Sequence, residues 1–127
     1  MKRLVALALL TGLSGSLVAA TTYRVCNLSN ENISVETEYS KVIPLTGQRS
    51  QTFSLKAGEH HDITFGVLSI AELEEIKIGN AIAHYDPSML KKGDNTIGLY
   101  QVGNKWGVVI AKGTDCSRAK TKMLELK

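Results

Sequence analysis

From residue 21 onward, polar and apolar positions alternate more often than they recur at helical spacing. In "NISVETEYS", Ile33, Val35, Thr37 and Tyr39 fall on one side and Ser34, Glu36, Glu38 and Ser40 on the other, the pattern of a half-buried strand. "YRVCN" reads as a preceding strand, with Ser29-Asn30-Glu31 as the turn between the two. "QTFSLKAGE" puts Phe53 and Leu55 in phase and ends in a glycine turn. "HHDITFGVL" follows with Ile63, Phe65 and Val67 in phase.

Two Gly-Asn pairs then punctuate apolar runs, and each predicts a two-residue hairpin. Around Gly103-Asn104, counting outward pairs Val102 with Lys105, Gln101 with Trp106, Leu99 with Val108 and Ile97 with Ile110. One face then collects Ile97, Leu99, Trp106, Val108 and Ile110, so turn chemistry and hydrophobic pattern agree on one register. Around Gly79-Asn80 the same counting pairs Ile78 with Ala81, Ile76 with Ala83 and Glu75 with His84.

Helical signals are brief. "SIAE" has the form of a capping box, and Ile70, Leu73 and Ile76 could share a helix face, which predicts a helical turn near Ser69 to Glu74 running into a strand. "DPSMLKKG" predicts one or two helical turns, with Asp86 as cap, Pro87 in the first position, lysines at the end and Gly93 as the stop. The sum is seven or eight short strands at about 8–12-residue spacing. This pattern predicts a mainly β fold, a small antiparallel β-sandwich or barrel with one or two short helical turns.

The first twenty residues break the alternation. Lys2 and Arg3 precede the apolar run Leu4 to Leu10, and Val18-Ala19-Ala20 supplies small residues where a signal peptidase reads. This predicts a secretory signal over residues 1–20 cleaved after Ala20, and a single β domain over 21–127. The polar interruptions Thr11, Gly12, Ser14, Gly15 and Ser16 argue against a spanning helix, and no transmembrane segment is expected in the mature chain.

Cleavage changes the charge picture. The formal charge of +3 falls to +1, because Lys2 and Arg3 leave with the signal. That weakens any electrostatic case for nucleic acid or an anionic membrane. The basic residues Arg118, Lys120, Lys122 and Lys127 lie in the tail "SRAKTKMLELK", which is expected to be a flexible, solvated terminus. Two cysteines remain, Cys26 near the new N-terminus and Cys116 near the C-terminus. In an exported chain they predict one disulfide fastening the first strand to the last.

Candidate chemistry centres on "GEHHD", where Glu59, His60, His61 and Asp62 adjoin. On a strand His61 points toward the core edge with Ile63 and Phe65, while His60 and Asp62 point the other way. A metal site would need His60 and Asp62 to be joined by His84, with Asp86 two residues beyond it, and no recognised ligand spacing is present. No nucleophile elbow occurs, and Glu36 with Glu38 are alternating acids on an exposed strand face. Trp106 falls in phase with its hairpin's core residues, whereas Tyr100 lies on the opposite face as the more exposed aromatic. Asn27-Leu28-Ser29 and Asn32-Ile33-Ser34 match the N-glycosylation pattern.

These readings predict an exported binding module without catalytic activity and without a cofactor or bound metal. Its partner would be a protein or a cell-surface glycan, with His60, Asp62, His84 and Tyr100 as weak binding candidates. The alternatives are an inhibitor of a secreted hydrolase and a small metal-assisted hydrolase using His60, Asp62 and His84. The expected location is secreted or periplasmic.

Overall fold

The computed structural model describes residues 21–43, 49–65, 70–90 and 93–126. Residues 1–20, on which the signal reading rests, lie outside that set, as do Val67 and the Lys91-Lys92 pair.

Eight strands run in the order β1 (Thr21–Asn27), β2 (Ile33–Ile43), β3 (Ser50–Leu55), β4 (His60–Phe65), β5 (Ile70–Ile78), β6 (Ala81–Ala83), β7 (Asn95–Val102) and β8 (Lys105–Lys112). A 3-10 turn, Pro87–Met89, precedes β7, and a C-terminal helix, α1 (Cys116–Glu125), follows β8. The strands form two four-stranded sheets, β4-β1-β7-β8 and β3-β2-β5-β6. Every pairing is antiparallel except β1 with β7, which is parallel. Of the mainly β sandwich or barrel expected from the alternation, the sandwich is therefore present.

Alternation builds the core between the sheets. Val35, Ile76, Ile97 and Leu99 are fully buried there, with Val25 and Ile63 beside them. The β7–β8 hairpin has the register counted from Gly103-Asn104, from Val102 opposite Lys105 down to Ile97 opposite Ile110. The Gly79-Asn80 hairpin agrees through Ile78–Ala81 and Ile76–Ala83. It departs one residue later: His84 bridges to Gly107 of β8 and does not pair with Glu75. That bridge joins the end of one sheet's edge strand to the edge of the other sheet.

Three further expectations are corrected. The helical turn near Ser69 to Glu74 is not formed, since β5 is already a strand from Ile70. The i, i+3 spacing of Leu73 and Ile76 suggested a helix face. In a regular strand these two would point to opposite faces, yet both are buried. A bulge resolves this: Glu38 pairs with Glu75 and Tyr39 with Leu73, so Glu74 is the extra residue and the inward phase shifts by one. The turn expected at Ser29-Asn30-Glu31 is present, and it carries the chain from one sheet to the other.

The second correction concerns the basic tail, and the third the disulfide that reaches it. Residues 116–125 are an α-helix with Asp115 as N-cap, its carboxylate accepting from the Ser117 amide at 3.0 Å. Only Ala119 and Met123 form its buried stripe, one turn apart, and the surrounding charges hid that stripe in the sequence. The helix lies on the outer face of the first sheet and forms a third layer over buried Val109 and Ala111. Gly98 makes this possible, because a Cβ there would lie 3.1 Å from Ala119 Cβ and 2.6 Å from Leu28 Cδ1. Cys26 and Cys116 are disulfide-bonded with Cα atoms 5.9 Å apart. The bond ties the first strand to this helix rather than to a last strand.

Candidate functional site

The residues of "GEHHD" are placed first by a turn. Gly58 has φ +84°, and the Glu59 carboxylate accepts from the Lys56 amide at 2.7 Å, so this acid closes the β3–β4 turn. His61 leaves the turn toward the interior side and stacks on Phe53, ring centroids 4.2 Å apart. Asp62 points outward and receives both arms of Arg24 on β1, Nε to Oδ1 at 2.8 Å and Nη2 to Oδ2 at 2.9 Å. That two-pronged hydrogen bond holds the Asp62 carboxyl below its usual pKa, with desolvation opposing it. Arg24 also donates to the Thr114 carbonyl at 3.2 Å, which links β4, β1 and the approach to α1.

The structure does not bring His84 to this place. His60 and Asp62 sit on β4, one edge of the first sheet, while His84 bridges to β8 at the other edge. Three inter-strand spacings of about 4.8 Å separate those edges along the sheet. Asp86, the other proposed neighbour, accepts from Ser88 at 3.0 and 2.8 Å and caps the 3-10 turn. No group of three or more His, Cys, Asp and Glu residues is assembled for a metal among the described residues. Glu38 is tied to Lys77 at 3.1 Å, and Lys77 reaches Glu75 at 3.7 Å.

What the fold does bring together is the pair of Gly-Asn hairpins. The His84–Gly107 bridge draws β6 alongside β8, and both two-residue turns then lie at one end of the sandwich. Between them is a cleft of about 240 Å³ lined by Ala81, Ile82, His84, Asn104, Lys105 and Trp106. Trp106 packs against the core on one side and is only partly buried, so its indole also borders this opening. Its phase within the hairpin was legible in the sequence; its second surface was not, because it depends on β6, a strand from the other sheet.

The cleft's polar groups are uncommitted. The side chains of His84, Asn104 and Lys105 are exposed. None of these, nor the Trp106 indole N–H, has a hydrogen-bond or ion-pair partner among the described residues, and no partnerless polar side-chain atom there is buried. Ile82, 45% exposed, and Val102, 61% exposed, add apolar surface at the same end. Tyr100 lies one strand away, its ring against Gly107, where a Cβ would come within 2.5 Å of it. It is half-buried and covers the glycine that His84 bridges, and it does not line the cleft.

The chain is thus a small β-sandwich with a disulfide-tethered helix. Its sequence matches no protein-family model and no curated protein. Among solved structures, it is similar to the NMR structure of a protein from Eubacterium rectale, with a TM-score of 0.50 and 16% identity over 74% of this chain and 90% of that one. It also aligns with the membrane-binding domain of pneumolysin, with a TM-score of 0.41 and 13% identity over 76% of this chain and 99% of that domain. The first likeness is one of fold alone, and the second carries no argument.

Proposed function

We propose that this protein is an exported module that acts by binding rather than by catalysis, through the end where the two Gly-Asn hairpins meet. The observation that carries the reading is the open cleft between them, bordered by the partly buried Trp106 and by polar side chains that have no hydrogen-bond or ion-pair partner among the described residues. Binding sites favour turns held by a rigid scaffold, and both hairpins are anchored by full strand registers. The Cys26–Cys116 disulfide fits an oxidising compartment outside the cytosol. The partner is a protein or a surface glycan.

The test uses the full chain expressed with its own leader. The exported product should have the mass of residues 21–127 less two hydrogens for the disulfide. It should then sediment with cell-envelope preparations, and an I82D/V102D variant should retain its melting temperature and lose at least about tenfold in binding, the weight of a few buried apolar contacts. Equal binding by the variant removes this end as the working surface.

A second reading has one observation in its favour. Val102 stands exposed beside the tight Gly103-Asn104 tip, the shape of a loop that enters an enzyme's cleft. An inhibitor of a secreted hydrolase would show a stoichiometric complex with one enzyme, lost on the single change V102D.

A further inference from the structure

The cleft between the hairpins has a chemistry that narrows its ligand. We infer that it is a saccharide site, taking one pyranose ring that carries a carboxylate, a uronic acid unit, against Trp106. The inference rests on the preceding reading of this end as the working surface.

Size is the first constraint. About 240 Å³ lies below the roughly 300–1,000 Å³ typical of pockets for drug-sized ligands, so the space suits a single small ring. Wall character is the second. Ala81, Ile82 and the indole of Trp106 give an apolar wall, and His84, Asn104 and Lys105 are polar. A purely aliphatic guest would leave those polar groups facing carbon, and an inorganic anion would leave the indole and Ile82 unmatched. A pyranose presents both a face of C–H groups and a rim of hydroxyls, and an indole with polar neighbours suits that combination.

Donor balance is the third constraint. Lysine and tryptophan can only donate, while histidine and asparagine can do either, so the lining calls for a guest rich in acceptors. Among the described residues, Lys105 has no carboxylate within ion-pair distance and no acid lines the cleft. A carboxylate on the sugar would supply the missing partner, and the ring hydroxyls would meet Asn104 and His84. The frame is already set, since Trp106 is seated on the core, His84 is bridged to Gly107 and Asn104 is fixed in its turn. The backbone frame therefore needs no rearrangement on binding, and the ordering cost falls on the exposed side chains of His84, Asn104 and Lys105.

The chain's only tryptophan gives a direct readout. In proton–nitrogen NMR of the oxidised protein, the single indole N–H signal is followed during titration with methyl glucuronide and, separately, methyl glucoside. The glucuronide should shift it saturably, with a Kd in the range of about 1–10 mM, and the glucoside should bind about tenfold more weakly for want of the charged hydrogen bond. In K105A, an exposed site, the glucuronide should fall to the glucoside's level. An indole unmoved by either sugar at about 50 mM, several times such a Kd, overturns the proposal. So do equal affinities for the two sugars that K105A leaves unchanged. If envelope binding still depends on Ile82 and Val102 in that case, the saccharide assignment alone fails and a protein partner takes its place.

Discussion

Asn27 occupies the point where β1 ends and the chain leaves one sheet for the other, and its side chain is fully buried. Its amide donates to the carbonyls of Glu31 at 2.7 Å, Lys56 at 3.1 Å and Leu55 at 3.3 Å, and its oxygen accepts from the Ser29 amide at 3.0 Å and hydroxyl at 2.7 Å. One side chain thereby fastens the β1–β2 crossover to the β3–β4 turn. Asn27→Ala removes these five hydrogen bonds at once, although the Lys56 carbonyl still accepts from the Glu59 amide at 2.9 Å, and should cost about 2–4 kcal/mol in urea unfolding. The same burial disqualifies Asn27-Leu28-Ser29 as a glycosylation site in the folded protein, whereas Asn32 is exposed. Arg24–Asp62 is the opposite case, two partly exposed groups whose pair is worth about 0.2–1 kcal/mol. The folded protein lowers the Asp62 pKa, so the pair's contribution is complete above the ordinary carboxylate range and is lost as pH falls through the lowered value. The stability gap between wild type and D62N should therefore shrink as pH falls below about pH 4. A gap that grows below about pH 4 would contradict this sign.

Helix α1 is seated on the first sheet through one missing side chain. A Cβ on Gly98 would meet Leu28 Cδ1, which can swing away, and Val109 Cγ1 of β8 at 3.2 Å, but also Ala119 Cβ at 3.1 Å, which cannot move without lifting the helix. Gly98→Ala should destabilise the domain by about 1–3 kcal/mol and raise amide exchange in α1 before β7. Uniform loss of protection would mean the helix is not a separate layer. Gly98 also illustrates what the sequence conceals at this scale. The β7–β8 register was legible because turn chemistry and alternation are both local and agree. The β5 bulge was not, because an inward phase shift at Glu74 gives Leu73 and Ile76 the spacing of a helix. α1 escaped notice because its buried stripe is two residues, Ala119 and Met123, amid lysines and an arginine. Likewise the cleft needs the His84–Gly107 bridge, a contact between sheets that no local pattern encodes. Of the four residues singled out for binding, His84 lines it, Tyr100 supports it from one strand away, and His60 with Asp62 lie at the far edge.

At the scale of the molecule, strand count and spacing were enough for a mainly β sandwich or barrel, while the choice between them and the strand order were not, since the parallel β1–β7 pair joins segments about seventy residues apart and depends on the assembled core. The disulfide spans a still longer loop, with a sequence separation of 90. In the chain-entropy picture, closing such a loop in the unfolded state stabilises the fold by about 4–5 kcal/mol, a large part of the 5–15 kcal/mol that an ordinary domain has in total. C26A/C116A should thus lose about that much in urea unfolding, and its m-value should rise because the unfolded chain is freer to expand. Yet the bond also holds α1 on the sheet, and that native-state role has a different signature. If it acts only on the unfolded chain, the Gly98→Ala penalty will be the same with and without the disulfide, and the two changes will add. If it clamps α1 in place, removing it lets the helix lift away from the new methyl group, and the Gly98→Ala penalty will shrink in the C26A/C116A background. Cys116 is the first residue of α1 and Ala119, the residue that meets Gly98, lies one turn on, so the disulfide and the tight contact act on the same turn. The expected result is coupling of about 0.5–3 kcal/mol, the range for sites in direct contact.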